Sequence, residues 1–298
     1  KEHGNISLVK ALSHHYEIAR ITPEVLQFVS THSGSRELAA LLDEKHKVEL
    51  QQWLWGKQIV DLLHAYPVRQ IDADAWLSVL KRLQPRLYSI SSSPRLFPDQ
   101  VHLTVSAVRY DSEYAPRGGV CSTFLADRAD NGNVPIFLQK SAHFRPPRHP
   151  DTPLIMVGPG TGIAPFRAFL QERQAMKASG KNWLFFGEQH AATDFYYRDE
   201  LAAMQQAGYL HKLNTAFSFF QSEKIYVQHR MLENGAELWQ WLEQGAHFCV
   251  CGDASRMAKD VDTALKQIIQ MHGKLSPEET ARYVAKMSQN KRYMRDVY

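Results

Sequence analysis

The sequence predicts two domains of different class, an α+β domain followed by an α/β domain. Up to about residue 83 the apolar residues recur at helical spacing, and from Arg86 they alternate with a period of two. From Leu154 onward short apolar runs alternate with helical patterns, which is typical of a parallel sheet with crossover helices on both faces. A chain of 298 residues is long enough to fill two such cores.

Composition and charge exclude several classes of partner. The 35 basic residues exceed the 31 acidic ones by four and are spread along the chain, so we expect no nucleic-acid partner. No apolar run approaches the ~20 residues that a transmembrane helix needs, so we expect no membrane partner. Three cysteines cannot form a complete set of disulfides, which favours a reducing, cytoplasmic compartment. The 14 histidines show no metal-ligand spacing, so we expect no metal site.

The first domain begins with helices. The helical pattern covers about residues 7–83. Within it, Thr22, Pro23 and Glu24 have the order of an N-cap, a first-turn proline and a first-turn acid. This order predicts that a helix begins at Pro23.

Strands follow the helical segment. The segments RLYSISSS (86–93), VHLTVSAVRY (101–110) and VPIFLQ (134–139) alternate apolar and polar residues, as half-buried strands do. The segment RPPRHPDTP (145–153) contains four prolines and cannot be helical, so the domain boundary is predicted there. The predicted domains are residues 1–150 and residues 151–298.

The second domain alternates strand and helix patterns. We expect strands at LIMVG, NWLFFG, HKLNTAFS and AHFCVCG, and helices at FRAFLQERQAMKA, RDELAAMQQAG, SRMAKDVDTALKQIIQ and from about Tyr226. Ligands of such open sheets bind at the carboxyl ends of the strands.

Two glycine turns are predicted at that edge. GPGTGIAPF (158–166) would bring free amides and the positive end of a helix to a phosphate, although Ile163 replaces the last glycine of the dinucleotide fingerprint. CGDASRMAKDV begins at Cys251, and there Asp253 or Ser255 taken alone is better explained as a helix N-cap. The presence of both turns at one edge favours a nucleotide ligand.

Two segments of the first domain carry polar residues suited to a phosphate-bearing ligand with a flat ring. In RLYSISSSP (86–94) an arginine matches a pyrophosphate and a tyrosine matches a flat ring, and GGVCSTFL (118–125) exposes amides beside small residues. On composition alone, a structural role explains both segments better.

These motifs, with KIYVQ and a C-terminal RDVY, follow the order found in the ferredoxin-NADP reductase type module of diflavin reductases, which the chain resembles along essentially its whole length. Within that family it most resembles the flavoprotein subunits of assimilatory NADPH-sulfite reductases. The resemblance implies an antiparallel FAD-binding β-barrel with a helical connecting insertion, followed by a parallel-sheet NADP(H)-binding domain. It implies an NADPH-dependent flavin reductase with FAD and NADPH as cofactors.

The resemblance also assigns residues to FAD. Arg86 would hold the pyrophosphate, Tyr88 would stack on the isoalloxazine ring and Ser89 would lie near its N5 atom. Tyr298 would cover the ring. The other FAD residues that it implies are Thr22, Leu87, Thr104, Val105, Ser106, Tyr110, Gly119, Val120, Cys121 and Ser122.

For hydride transfer the resemblance implies Ser89, Cys251, Asp296 and Tyr298 as catalytic residues. Cys251 would lie beside the reacting carbon, and Asp296 would work with Ser89 and Cys251. The NADP(H) residues that it implies are Gly158, Gly160, Thr161, Gly162, Ser218, Phe219, Lys224, Ile225, Tyr226, Val227, Gln228, Cys251, Asp253 and Asp260.

The chain departs from the family pattern at two of these positions. Phe219 stands where the family has an arginine that grips the 2′-phosphate of NADPH. Ser218, Lys224, Tyr226 and Gln228 still match, so we expect NADPH to be preferred over NADH by a smaller margin. Cys121 stands where the family often has a small residue, and it either crowds the phosphate loop or lines it.

The resemblance implies further segments and partners. The family module starts with strands that would precede residue 1, and a flavodoxin-like FMN domain precedes those, so we expect this chain to be the C-terminal part of a longer flavoprotein. Electrons would pass to the FMN domain and on to a sulfite reductase haemoprotein, which reduces sulfite to sulfide for cysteine biosynthesis. Three alternatives stay open: a related diflavin reductase with another haem acceptor, a non-catalytic nucleotide-binding module, and a hydrolase that uses Cys121 or Cys251.

Overall fold

The structure, a computed structural model, describes residues 6–112, 115–129, 132–219 and 224–298. The chain divides into two compact units, the first formed by 1–87 with 107–134 and the second by 88–106 with 135–298. Because these units are defined by packing alone, the domain boundary near residue 150 stays a prediction.

Helices dominate the first unit, as the helical spacing predicted. They are α1 (Leu8–His14), α2 (Pro23–Ser33), α3 (Arg36–Leu41), a 3₁₀ turn (Glu44–His46), α4 (Lys47–Leu54), α5 (Ile59–Ala65), α6 (Ala73–Val79) and α7 (Val120–Asp127). Thr22 accepts a hydrogen bond from the Val25 amide at 3.4 Å, and Pro23 opens α2, so the predicted N-cap is confirmed. The buried faces of α2, α3 and α5 share a core around Val25 and Leu62.

The structure does not confirm the antiparallel barrel. Among the described residues of the first unit, strands form one two-stranded antiparallel sheet, of β1 (Arg109–Asp111) and β2 (Pro116–Gly118). The predicted strand over 101–110 is therefore formed only at its end.

The other predicted barrel segments lie in the second unit. The segments around Ile90 and Leu103 meet at a single antiparallel bridge. In the predicted strand over 134–139, Ile136, Phe137 and Leu138 are 70%, 58% and 71% exposed. A ladder needs a neighbour that pairs over several residues. The segments around Ile90 and Leu103 pair at one bridge only, and 134–139 belongs to no strand in the described structure.

The second unit is the predicted open parallel sheet. Its strands are β3 (Leu154–Val157), β4 (Asn182–Glu188), β5 (Lys212–Phe217), β6 (His247–Gly252) and β7 (Tyr293–Val297). They are parallel in the order β5-β4-β3-β6-β7. Its helices are a 3₁₀ turn (Gly160–Ile163), α8 (Ala164–Ala175), α9 (Arg198–Gln206), α10 (Val227–Glu233), α11 (Gly235–Glu243), α12 (Met257–Gly273) and α13 (Pro277–Gln289).

Both faces of this sheet are buried. Along β4, Trp183 and Phe185 enter one apolar cluster, and Leu184 and Phe186 enter the other. This explains why the strands read as continuous apolar runs and not as alternating ones. The strand order reverses between β3 and β6, and the carboxyl end of that pair is where ligands of such sheets bind.

None of the helices in the described parts of the chain has the length and apolar character that a membrane crossing requires. Within the same residues, no group of three or more histidine, cysteine, aspartate or glutamate side chains is arranged to hold a metal ion.

Candidate functional site

The turn after β3 packs directly on the end of β6. A Cβ atom on Gly162 would lie 2.2 Å from the carbonyl oxygen of Cys251, and one on Gly158 would lie 2.5 Å from the ring of Phe166. Only glycine permits these approaches. The glycine turn predicted from the sequence therefore lies at the switch point of the sheet.

Three of the predicted catalytic residues meet at this edge. The Ser89 hydroxyl donates a hydrogen bond to Asp296 Oδ2 at 3.0 Å. Cys251 and Asp296 are direct neighbours in the register of β6 and β7, and the Cys251 thiol lies within hydrogen-bond reach of Ser89. All three belong to the second unit.

The fourth predicted catalytic residue, Tyr298, reaches the same edge. Its hydroxyl lies 2.9 Å from the hydroxyl of Thr161, and its amide donates to the Gly252 carbonyl oxygen at 3.1 Å. The tail is thereby fixed between the two glycine turns, and the ring stays 66% exposed.

The Cys251 thiol is strongly biased towards its neutral form. Burial and, to a smaller extent, the negative charge of Asp296 raise its pKa to about 12, although the hydrogen bond with Ser89 opposes both. A nucleophilic cysteine needs a thiolate, so this environment argues against Cys251 as the nucleophile of a hydrolase.

The predicted 2′-phosphate residues lie beyond the ends of β4 and β5. The Ser218 amide donates to the Glu188 carbonyl oxygen at 3.0 Å. The ring of Phe219 is 67% exposed and lies with its centroid 4.5 Å from that of His190. Lys224 is exposed as well.

The remaining predicted NADP(H) residues have structural partners. Gln228 donates to Asp260 Oδ2 at 3.4 Å, which links α10 to α12. The Asp253 carboxylate accepts from the amides of Arg256 (2.7 Å) and Met257 (3.1 Å), and these bonds hold its pKa well below the usual range. Arg256 is the N-cap residue of α12, and the Asp253 carboxylate binds the amides at that helix start; its contact with NADP(H) stays a prediction.

Three further NADP(H) candidates lie at the start of α10. Tyr226 precedes the helix, and its amide donates to His229 Nδ1 at 3.1 Å. Ile225 packs against the apolar core, and Val227 is buried within it. A contact between these residues and a nucleotide stays a prediction.

The predicted FAD phosphate loop has a geometry that fits a phosphate. Gly119 is the N-cap of α7, so the first-turn amides, including those of Val120 and Cys121, have no acceptor within the helix. Ser122 accepts from the Val108 amide at 3.2 Å, which fixes the loop on the β1 side. Cys121 is partly buried and forms no disulfide.

Two other predicted FAD residues of the first unit already have partners. Arg86 donates to Glu17 Oε2 at 2.8 Å and to the Gln84 carbonyl oxygen at 2.6 Å. Thr22 caps α2. Leu87 is exposed.

A cavity beside Tyr110 was missed by sequence reasoning. It measures about 460 Å³ and is lined by Trp55, Gly56, Lys57, Asp61, Tyr110, Asp111 and Ser112. Trp55 is 87% exposed, and Gln58 Nε2 donates to the Tyr110 hydroxyl at 3.0 Å. Trp55 directly follows the end of α4, within the segment WLWGK, and it belongs to no motif that predicted this site.

The other predicted FAD residues belong to the second unit. Tyr88 and Val105 are partly buried, and Ser106 is exposed. The Thr104 hydroxyl lies 2.6 Å from the hydroxyl of Tyr197, a residue of the unit that carries the parallel sheet.

Comparisons with known proteins match two domain families to this chain. The model described as "FAD binding domain" matches residues 3–124, and the model described as "Oxidoreductase NAD-binding domain" matches residues 156–263. The chain is similar to proteins named sulfite reductase [NADPH] flavoprotein alpha-component. Identity is 45% over 98% of this chain for the Bacillus subtilis protein, 48% over 97% for the Mannheimia succiniciproducens protein and 45% over 100% for an Escherichia coli protein. The chain spans about half the length of these relatives, 48%, 48% and 49% respectively.

Proposed function

This chain belongs to the oxidoreductase flavoproteins that join an FAD-binding domain to an NAD-binding domain, and on that premise we propose that it takes a hydride from NADPH onto FAD. The observation that carries the proposal is the cluster of Ser89, Cys251 and Asp296 at the switch point of the parallel sheet. Glycine turns border this cluster, as close approach of a dinucleotide requires.

The Cys251 thiol and the Asp296 carboxylate have separate tasks in this proposal. Ser89 donates to Asp296 and lies beside the Cys251 thiol, so the hydroxyl is held between the carboxylate and the sulfur. Positive charge develops on the nicotinamide ring as the hydride leaves, and the Asp296 carboxylate stabilises that charge. Tyr298 covers the site and excludes water.

FAD, when bound, accepts two electrons at once and releases them singly. In the first unit we assign its phosphates to the first-turn amides of α7, which Gly119 leaves accessible. The antiparallel barrel, with strands that precede this chain, is part of the same proposal.

The partners of the whole protein follow from its relatives. Because those relatives are named as the alpha-component of sulfite reductase, we propose that electrons pass to an FMN domain on another segment and then to a sulfite reductase haemoprotein. All three cysteines of this chain are unpaired, which supports a reducing, cytoplasmic compartment.

The test is the visible spectrum of FAD-supplemented protein under anaerobic conditions, before and after NADPH is added. We expect the band of bound flavin to bleach rapidly, and NADH to bleach it more slowly. Replacing Asp296→Asn keeps the size of the side chain and removes its charge, so the bleaching rate should fall by about 100-fold.

The control for this site is a second buried thiol. Cys249 lies two residues before Cys251 in β6 and enters the same apolar cluster. Cys251→Ala should slow bleaching, whereas Cys249→Ala should not. Bound flavin that NADPH does not reduce would reject hydride transfer and favour a non-catalytic nucleotide-binding module.

A further inference from the structure

One buried arginine joins three segments of the second unit. Arg167, in the first turn of α8, is 8% exposed. Its Nε donates to Glu200 Oε2 at 2.8 Å, and its Nη1 donates to the Ser91 carbonyl oxygen at 2.8 Å and to His102 Nδ1 at 3.1 Å. Its guanidinium carbon lies 4.7 Å from the centre of the Tyr197 ring. We call these five residues the Arg167 cluster.

Further bonds hold the same segments together. His102 Nε2 donates to Gln100 Oε1 at 2.8 Å, so Nδ1 is the nitrogen that accepts from Arg167. Gln171, one helical turn after Arg167, accepts from the Ser93 amide at 3.0 Å and donates to Glu200 Oε1 at 2.9 Å. Residues 91–93 are buried as a result, at 0%, 4% and 1% exposure.

The Arg167 cluster links two segments that carry parts of the proposed site. Ser91 follows Ser89 by two residues, which is about 7 Å of extended chain, and Ser89 is the residue bonded to Asp296. Arg167 follows Gly162 by five residues, and Gly162 packs on the Cys251 backbone. A single guanidinium therefore connects the segment that carries Ser89 with the helix that follows the glycine turn.

We propose that Arg167 is a positioning residue, which fixes residues 88–93 on α8 and thereby holds Ser89 in register with Asp296 and Cys251. The expected loss of reduction rate rests on the proposed hydride transfer, whereas the expected loosening of residues 88–93 rests on the geometry alone. Arg167 touches none of the three site residues, so it acts through Ser91. A displacement of about 1 Å at a reacting centre costs ~100-fold in rate.

Lysine cannot replace this arginine. The guanidinium is planar, and it donates in three directions while its face lies on the Tyr197 ring. An ammonium is a compact charge without that fork. Arg167→Lys therefore keeps the charge and loses the geometry. Tyr197→Phe is the second variant, since it keeps the ring and removes only the bond to Thr104.

Arg95 supplies a matched control. It lies on the same segment and bonds to α8 through Glu172 Oε1 at 2.7 Å, but its side chain is 58% exposed. An exposed ion pair fixes its segment weakly. Arg95→Ala should therefore leave the register of Ser89 unchanged.

The first measurement needs neither flavin nor activity. Hydrogen exchange in the intact protein is compared between residues 88–106 and strand β4. We expect Arg167→Lys and, to a smaller extent, Tyr197→Phe to speed exchange within 88–106 by at least tenfold and to leave β4 unchanged. Arg95→Ala should change neither. Unchanged exchange in Arg167→Lys would overturn the proposal, and equal acceleration in both segments would do the same by showing general destabilisation.

The second measurement is single-turnover bleaching of bound FAD by saturating NADPH. In Arg167→Lys we expect a rate about 100-fold lower, with the dissociation constants of FAD and NADPH within about twofold of the parent. A parent-like rate would overturn the positioning role. If the parent itself bound FAD but was not reduced, the proposed function would fail, while the exchange result would still decide whether Arg167 holds the segment.

Discussion

The turn after β3 and the turn before α7 are both rich in glycine and both open a helix, yet their surroundings differ. Gly162 lies against the backbone of β6, and most of α8 behind it is buried. Gly119 is held by its bond to Val108 and by Ser122, and Val108 itself is 51% exposed. The sheet shapes the first turn, whereas local hydrogen bonds alone shape the second.

This difference indicates how each site is completed. The turn after β3 is held in its shape by a core that is filled on both faces, so we expect it to be preorganised for its nucleotide. The turn before α7 lies beside apolar side chains that remain exposed in the described structure. We expect its order to depend on FAD and on further strands that would cover those side chains.

The largest expected effect separates the two turns directly. In Gly162→Ala the new Cβ would meet the backbone of Cys251, which cannot move without breaking the sheet, so we expect a loss above ~4 kcal/mol in the free energy of unfolding. In Gly119→Ala the nearest atom is the hydroxyl of Ser122, at 2.6 Å, and that side chain can rotate. We expect a loss of only about 1 kcal/mol there.

Urea unfolding followed by circular dichroism measures both variants. Equal losses would show that the two turns are equally constrained and would remove the basis of the comparison.

A smaller effect concerns selectivity at the end of β5. Phe219→Arg adds an exposed cation where the 2′-phosphate of NADPH is expected, and a charged hydrogen bond contributes ~1.5–3 kcal/mol. The ratio of kcat/KM for NADPH over NADH should therefore rise by about 10- to 150-fold. Phe219→Leu, which adds no charge, is the control. An unchanged ratio in Phe219→Arg would show that this position does not face the 2′-phosphate.

Sequence reasoning succeeded where the pattern was continuous and local. The apolar runs of β3, β4 and β6 are buried on both faces, so their composition alone predicts them. It missed α13, although Ser276 and Glu279 form a capping box that announces the helix. It also missed β7, because five residues of mixed polarity become a strand only through pairing with β6.

The candidate site was predictable only in part. Spacing and turns placed Gly158 and Cys251 at one edge of the sheet, but the bond between Ser89 and Asp296 joins residues 207 positions apart and leaves no local signal. Family resemblance supplied that pair. Neither source indicated Arg167, since an arginine early in a helix is ordinarily exposed.

The cavity beside Tyr110 offers a separate test of FAD binding in the first unit. We expect this cavity to bind the adenine end of FAD. Tyr110 lies on the β1–β2 hairpin, Gly119 directly follows that hairpin, and in FAD a ribose links the adenine to the phosphates. Trp55→Ala removes an exposed stacking surface and should weaken FAD binding by about tenfold, or ~1.4 kcal/mol.

Two controls test that assignment. FMN has no adenine, so its affinity should not change in Trp55→Ala. Val48→Ala removes an exposed apolar side chain from the neighbouring helix and should leave FAD affinity unchanged. If Trp55→Ala weakened the binding of FMN and FAD equally, Trp55 would not contact the adenine. Quenching of Trp55 fluorescence by FAD gives an independent measurement.

The last expected effect comes from the amino edge of the parallel sheet, opposite the proposed site. Burial, with the positive charges of Arg292 and Arg173, lowers the pKa of His247, at the start of β6, to about 4. The unfolded chain binds this proton near pH 6.5, so between about pH 6.5 and 4 it holds more protons than the folded protein. The free energy of unfolding should therefore fall as the pH drops through that window. In His247→Gln the free energy of unfolding should depend less on pH in that window, and above pH 7 its slope against pH should match that of the parent. Identical slopes for the two proteins from pH 6.5 to 4 would show that this histidine is not held neutral.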